Sequence, residues 1–319
     1  MTLFRVINKF FSFLYFFFRY LNFKVAFLFA HYHVSFYAAE TVKRKGNNLL
    51  FVYTGNQIPI SQTYKFKQEL MTLIKVLNNK HVGVVSVNES GFVVQINNIL
   101  LNIFSLSNIV TINEVFIEKL YGISTPGNNN IMIDVGMNVG YASLFFASSD
   151  RVDRVYSFEP FPETFEEANK NINLNTAIKK KIIPFNYGIS NYSGTVEVPM
   201  LESGSAIAAT NTLMIEYTKI TPSKTIKVNL KSIEQVLDEV LTSHPDQNIF
   251  LKIDCEGEEY GIMESLNKNR HMKGITGFFI EWHVKGPESI ITVLNDNHFI
   301  VLDLPRTDVD SGMLYAFKE

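Results

Sequence analysis

The sequence predicts an α/β protein built on a doubly wound, mostly parallel sheet, and three observations carry that reading. From about residue 130 strand-like and helix-like stretches alternate without interruption, the pattern of βαβ units in a parallel sheet. The strand-like stretches "IFLKI" at 249–253 and "GFFI" at 277–280 are nearly continuous apolar runs, as strands covered on both faces require. The chain closes on "HFIVLDL" and "GMLYAFKE", two strand-like runs joined by "PRTDVDS". A loop that short holds no crossover helix, so the last strand is antiparallel.

In chain order, residues 1–45 form an aromatic, basic segment. It contains "FFSFLYFFFRYLNF" at 10–23 and "VAFLFAHYHVSFYAA" at 25–39. "KRKGNN" at 43–48 reads as a linker. Residues 46–125 form an N-terminal extension. In it, "SQTYKFKQELMTLIKVLNNK" at 61–80 predicts a helix, because Phe66, Leu70, Leu73, Ile74 and Leu77 recur at spacings of three and four. "VGVVSV", "FVVQI" and "ILLNIF" predict a small strand meander, since the turn formers "NESG" and "NN" separate them. A short helix is expected at about 113–121.

The main domain is expected at 126–319. Its strands are placed at 131–135, 154–159, 181–186, 249–254 and 276–282, and its helices at 139–149, 162–175, 231–243, 257–268 and 286–297. Pro162 suits a first helical turn, where its missing N–H is no loss. Ser232 and Gln235 stand at capping-box spacing.

Composition bounds the function. The chain has 319 residues and is 46% hydrophobic, enough for one large domain with appendages. A net charge of −2 argues against a general nucleic-acid binder. One cysteine, Cys255, excludes an intramolecular disulfide and any multi-cysteine metal site. It fits a reducing compartment, so a cytoplasmic location is expected.

The charge is unevenly spread. Residues 1–45 hold seven Lys/Arg and one acid, Glu40. A membrane span needs roughly 20 apolar residues, and Arg19 and Lys24 interrupt the run. Arg19 also stands where a signal-peptide cleavage site would need small residues. Aromatics among Lys/Arg suit a helix lying in a lipid interface. Packing on the protein's own domain or on a second subunit, as a homo-oligomer, is the competing expectation.

The first strand of the main domain ends in "IDVGMNVGY". Ligands of open α/β sheets sit at the carboxyl ends of the strands. Gly136 and Gly140 let the backbone turn sharply and a ligand approach. A dinucleotide wants G-x-G-x-x-G, and here Gly136, Asn138 and Tyr141 fill those places, matching one of three. The pattern is D-x-G-x-N-x-G instead. S-adenosylmethionine has an ammonium for the Asp134 carboxylate, a carboxylate for the helix N–H groups and a ribose diol for an acid ending strand two. Glu159 in "VYSFEP" stands there, 19 residues after Gly140. The bland reading is a capping Asp, turn glycines and a surface Glu.

"IDVGMNVGYASLFFA", "VYSFEPFPETFEEANKNINLN", "LKIDCEGEEYGIME" and "FFIEWH" stand in that order. Together they resemble the FkbM family of S-adenosylmethionine-dependent methyltransferases over about residues 110–318. Met137, "YGIS" at 187–190 and Cys255 depart from the family's usual residues without removing a cofactor-contacting group. The resemblance implies a class I methyltransferase (Rossmann-like) fold, S-adenosyl-L-methionine as cofactor, and transfer to a hydroxyl oxygen of a saccharide, glycolipid or secondary metabolite. Its cofactor residues map onto Asp134, Gly136, Asn138, Gly140, Glu159 and Asn186.

Methyl transfer needs an in-line nucleophile about 3 Å from the methyl carbon, and an alcohol needs a base. Lys252 and Asp254 alternate on strand four, so their side chains leave on one face. Asp254 is expected nearest the reacting centre, with Glu256 and His283 as base or substrate ligand. The competing readings are a hydrogen-bonded strand-end histidine, and helix-dipole charges at Glu256 and Glu258. Asp254, Glu256, Glu281 and His283 are ligand types that suit a hard cation. Nothing in sequence makes them converge, so no metal is expected. The remaining alternatives are a nicotinamide-dependent oxidoreductase and a non-catalytic membrane-associated interaction protein. The polar segment 202–224 is expected to lie over the site or to be a plain surface loop.

Overall fold

A computed structural model describes residues 3–123, 125–200, 224–306 and 310–319. The chain divides into two compact units, Met1–Gly122 and Ile123–Glu319. The segment 202–224 lies outside the described residues except for its last residue.

In the first unit, three helices come first: α1 (Leu3–Tyr20), α2 (Phe23–His31) and α3 (Phe36–Glu40). Asn22 and Ser35 cap α2 and α3 with their side-chain oxygens. Phe16 and Phe29 are fully buried and pack edge to face, with ring centres 5.6 Å apart. The Tyr20 hydroxyl donates to Ala39 O at 2.7 Å, so the aromatic segment folds on itself.

"KRKGNN" is no linker. β1 (Val42–Lys45) and β2 (Asn48–Phe51) form an antiparallel hairpin around Gly46, whose φ of +61° suits the turn. β3 (Gln57–Pro59) completes that sheet.

The single helix expected at 61–80 is broken into α4 (Ile60–Thr63), a short 3₁₀ turn (Lys67–Glu69) and α5 (Leu70–Leu77). Buried Phe66 stacks edge to face on Phe92 at the break. Its tertiary packing overrides the local helical period.

β4 (Val82–Val87), β5 (Phe92–Ile96) and β6 (Ile99–Ile103) form the antiparallel meander that the turn residues predict. The helix expected at 113–121 starts earlier, as α6 (Leu106–Ile112), and runs into a π-helical turn at Asn113–Ile117. Ser105 and Asn108 form the capping box that fixes its start.

The second unit holds a seven-stranded sheet. Its strands are β7 (Asn130–Val135), β8 (Val152–Phe158), β9 (Ile182–Phe185), β13 (Ile249–Ile253), β14 (Ile275–His283), β15 (Phe299–Pro305) and β16 (Ser311–Lys318). The order is β15-β16-β14-β13-β7-β8-β9. The five strands from β9 to β14 are parallel, and β16 is antiparallel to both neighbours, β14 and β15.

Every residue of β7 and β13 is buried, which accounts for their apolar text. Among the described residues, α7 (Tyr141–Ala147), α8 (Pro162–Leu174), α9 (Ile233–Ser243), α10 (Glu259–Asn267) and α11 (Glu288–Asp296) lie between the strands. Pro162 opens α8, and Ser232 caps α9 on Gln235 N. A small sheet of β10 (Gly188–Ser190), β11 (Gly194–Met200) and β12 (Lys224–Ser232), in the order β10-β12-β11, packs its apolar residues against Phe161. This is a class I methyltransferase architecture, Rossmann-like and doubly wound, as expected. No helix among the described residues is long and apolar enough to cross a membrane.

Candidate active site

The parallel strands end on one edge of the sheet, and the predicted residues meet there. Asp134 is fully buried near the end of β7. Ser143 Oγ donates to its Oδ2 at 2.5 Å, and the Lys252 ammonium lies 3.1 Å from its Oδ1. The carboxylate is thus engaged inward, and it fixes the loop that follows.

That loop passes through left-handed conformations at Gly136 (φ +82°), Asn138 (φ +52°) and Gly140 (φ +85°). Gly136 is required by space as well as by angle, since a Cβ there would stand 1.8 Å from Asp254 O. The backbone ties hold the loop on both sides. Met137 N donates to Phe158 O at 2.9 Å, and Asp254 N donates to Val135 O at 3.1 Å.

Glu159 follows β8 and is 4% exposed. Asn138 N donates to its Oε2 at 2.9 Å and Phe161 N to its Oε1 at 3.0 Å. The loop and the strand-two acid are therefore one hydrogen-bonded unit. Burial pushes the Glu159 carboxyl up to about 7, against the backbone donors. Asn186 braces the same corner, donating through Nδ2 to Glu159 O at 2.9 Å.

On the other side of the loop, Lys252 is buried and donates to Gly136 O at 2.6 Å. Its ammonium is also 3.4 Å from Asp254 Oδ2. Burial alone would lower its pKa, but Asp134 and Asp254 more than offset this and raise it. Lys252 and Asp254 share a face, as their alternation predicts.

Past Asp254 the chain turns at Glu256 (φ +55°) and Gly257 (φ +111°) before α10. Glu259, in the first turn of α10, is fully buried. Its Oε2 accepts from Gly257 N at 2.7 Å, and its Oε1 from His283 N at 2.9 Å and His283 Nδ1 at 3.1 Å. Sequence reasoning missed this residue. Nothing in "EGEE" separates it from its neighbours. Glu258 turns away, accepting from Ser190 Oγ at 2.7 Å.

His283 Nε2 then faces Glu256 Oε2 at 3.7 Å and Glu281 Oε1 at 3.8 Å. Arg306 Nη1 pairs with Glu281 Oε1 at 2.9 Å. Burial would lower the His283 pKa, but its bond to Glu259 and the charges of Glu256, Glu259 and Asp254 lift it to about 10. This differs from the ordinary histidine value near 6.5. Burial pushes Glu256 up to about 7, with His283 opposing. Burial also raises the Cys255 thiol well above its usual range, with the charges of Glu259, Glu258 and Asp254 adding to it.

A family model described as the methyltransferase FkbM domain matches residues 134–300. The chain belongs to the FkbM methyltransferase domain family. Among curated relatives, "Methyltransferase sdnD" of Sordaria araneosa is 26% identical over 208 residues, covering 58% of this chain and 80% of the relative. "Methyltransferase 1" of Beauveria bassiana (strain ARSEF 2860) is 23% identical over 164 residues, covering 48% of this chain and 65% of the relative.

Among solved structures, the FkbM methyltransferase from Methylobacillus flagellatus KT is similar over 61% of this chain, at 13% identity and a TM-score of 0.42. The chain spans 45% of that structure. TYW2 of M. jannaschii in complex with AdoMet aligns over 74% of this chain and 88% of its own, at 12% identity and a TM-score of 0.36.

S-adenosyl-L-methionine is the cofactor of this FkbM-family chain. The residues present fit it. Each Glu159 oxygen accepts one backbone N–H, which leaves lone pairs for the two hydroxyls of a ribose. The Asp254 side chain is 30% exposed at the edge shared by the loop and the Glu256–His283 cluster.

Proposed function

We propose that this FkbM methyltransferase methylates a hydroxyl oxygen of a small molecule: a saccharide, a glycolipid or a secondary metabolite. The observation that carries the reading is the cluster of Asp254, Glu256 and His283 beside the cofactor loop. A hydroxyl is a poor nucleophile until a neighbouring group takes its proton, and this cluster supplies one.

The bound cofactor supplies an electrophilic methyl group on sulfur. Glu159 holds the ribose diol, and the Asp134–Lys252 pair keeps the loop in its left-handed path. Asn186 keeps Glu159 in place through its backbone carbonyl. Asp254 stands nearest the reacting centre. Glu256, raised to about 7, would take the acceptor's proton as the new C–O bond replaces the methyl C–S bond, with S-adenosylhomocysteine as leaving group. His283, held in the cationic form at neutral pH, donates to the acceptor oxygen and orients it. Glu259 positions His283 through Nδ1 and its backbone N–H, and holds the turn at Gly257.

The acceptor class is tested with methyl-labelled cofactor and a panel of sugars, glycolipids and hydroxylated metabolites, with the labelled product located by NMR. Label on oxygen, lost in Glu256→Gln, supports the reading. Label on nitrogen, sulfur or carbon overturns it. Calorimetric titration with S-adenosylhomocysteine, beside an Asp134→Ala, Glu159→Ala protein, tests the cofactor residues separately. Equal affinity in both proteins would refute their assignment.

The N-terminal unit supports one more element. We propose that it lies on an anionic membrane surface. Phe11 and Phe18 are 64% and 71% exposed, and their spacing of seven puts them on one side of α1, with Leu21, 70% exposed, just past its end. Exposed Arg19 and Lys24 flank them. Aromatic and leucine side chains in the headgroup region with Lys/Arg beside anionic lipid fit an interfacial helix.

A further inference from the structure

We propose that Asp254, Glu281 and His283 form a site for one divalent metal ion of the Mn²⁺ or Zn²⁺ class. This reverses the expectation of no metal, which rested on the inability of sequence to show convergence. The structure brings the three together from the ends of β13 and β14, and each offers one ligand atom within 4.8 Å of the others. Two ligands bound at about 2.0–2.4 Å from one ion stand at most about 4.0–4.8 Å apart. The three atoms therefore need only small rotamer adjustments to close on a shared centre.

The second observation is the state of His283. The residue is 8% exposed. Its Nδ1 is tied to the buried Glu259 carboxylate at 3.1 Å, and its backbone N–H is tied to the same oxygen. The Tyr260 hydroxyl donates to its carbonyl at 2.6 Å. The ring is thus fixed on every side except one. That side is Nε2, which makes no hydrogen bond among the described residues. The nearest carboxylate oxygens stop at 3.7 and 3.8 Å, beyond hydrogen-bond distance. A histidine with one nitrogen anchored by a carboxylate, and the other facing two carboxylates at ion-pair distance without a hydrogen bond, has the arrangement of a metal ligand with its outer-shell partner.

The donor set narrows the ion. One imidazole and two carboxylates suit Mn²⁺, Fe²⁺ or Zn²⁺ better than Mg²⁺ or Ca²⁺, which favour oxygen alone. Glu256 stands beside the same nitrogen and can add a fourth ligand or hydrogen-bond a metal-bound water. Arg306 already pairs with Glu281 Oε1, so ligation shares the carboxylate with that guanidinium. Three protein ligands leave open positions, as catalytic sites do.

The chemical role of the site deepens the hydroxyl-transfer reading and rests on it: a cation there would hold the acceptor oxygen and favour its deprotonated form. His283 would then serve as ligand in place of proton donor, and Glu256 would still take the proton.

Binding is tested without donor or acceptor, so that its failure is separate from failure of the transfer reading. Full-length protein is stripped with chelator and titrated with Mn²⁺, followed by electron paramagnetic resonance. The expected result is one tightly bound Mn²⁺ per chain with pulsed-resonance coupling to a nitrogen nucleus. Zn²⁺ should compete for it. His283→Ala should abolish the nitrogen coupling and weaken binding at least tenfold, and Asp254→Asn should weaken it while keeping the coupling. Circular dichroism and thermal melts serve as the folding control for both variants. No Mn²⁺ or Zn²⁺ bound by folded wild-type protein at millimolar metal would overturn the proposal. So would binding with no nitrogen coupling, or binding unchanged in His283→Ala.

Discussion

Gly136→Ala should separate the cofactor loop from the acceptor edge without touching any ionisable group. The added Cβ would meet Asp254 O at 1.8 Å and Asp254 C at 2.9 Å, both of them backbone. Real Cβ atoms do not approach closer than 3.0 Å, so the two segments must part by at least about 1.2 Å. The residue would also keep a left-handed φ, which costs about 1–2 kcal/mol for a side chain with Cβ. Forcing the packed segments apart adds about 1–3 kcal/mol. The shift strains the bond from Lys252 to Gly136 O and that from Asp254 N to Val135 O. A total of about 2–5 kcal/mol corresponds to a fall in Tm of roughly 10 °C for a unit of this size. Displacing Asp254 by about 1 Å should cut methyl transfer roughly 100-fold. Gly140→Ala is the control, since its Cβ meets Ala168 at an ordinary 3.4 Å and only the φ is unfavourable. Thermal melts and homocysteine-product titration measure both variants. Gly136→Ala with a Tm within 2 °C of wild type and unchanged cofactor affinity would show that the loop–strand contact does not hold the site.

Three other outcomes follow from the same geometry. The raised Glu159 carboxyl, about 7 when folded against an ordinary 4.5, stabilises the empty protein fully below about 4.5, and that contribution is lost as pH rises through 7. Ribose hydroxyls favour the ionised form, so S-adenosylhomocysteine should bind roughly tenfold more weakly at pH 6 than at pH 8, and Glu159→Gln should flatten the profile in calorimetry. Glu259→Gln should lower the His283 pKa from about 10 in chelator-treated protein, seen by ring NMR, and reduce kcat while leaving cofactor affinity unchanged; an unmoved pKa would refute its positioning role. Wild-type protein should co-sediment with vesicles containing anionic phosphatidylglycerol and not with pure phosphatidylcholine, and Phe11→Ser with Phe18→Ser should release it. A concentration-dependent dimer with no vesicle binding would instead assign that face to a second copy of the chain.

The main sheet was legible because its signals are local and redundant. The apolar text of β13, the Pro162 start of α8, the Ser232 cap and the short loop before the final strand each specify one element, and all agree. The N-terminal unit was less legible where long-range packing decided. Phe66 fits a helical stripe, yet its contact with Phe92 breaks the helix. Gly46 looked like a linker residue because a hairpin turn and a linker share the same composition. In the candidate site, spacing along strands one and two placed Asp134, Gly136 and Glu159 at the strand ends where they are found, but not the engagement of Asp134 with Lys252 and Ser143. Glu259 could not be placed in this way. It lies in a run of acids, and what distinguishes it is complete burial against a histidine 24 positions later, which only the fold reveals.

The two halves of the site meet at Lys252. A buried ammonium is costly unless several oxygens surround it, and here two backbone carbonyls and two carboxylates do: Val135 O, Gly136 O, Asp134 and Asp254. Asp134 and Val135 end β7, Gly136 opens the loop after it, and Asp254 follows β13. One cation therefore sets the position of both segments, so the loop cannot shift without moving Asp254. That explains why Asp134, read from sequence as a partner for the cofactor's ammonium, is itself fully buried against Lys252 and Ser143. Its charge neutralises the lysine, and the lysine fixes the distance between the cofactor loop and the cluster of Asp254, Glu256 and His283. If the loop holds the cofactor and Asp254 stands by the acceptor, as proposed, a single buried ion pair spans the two segments whose spacing sets near-attack placement.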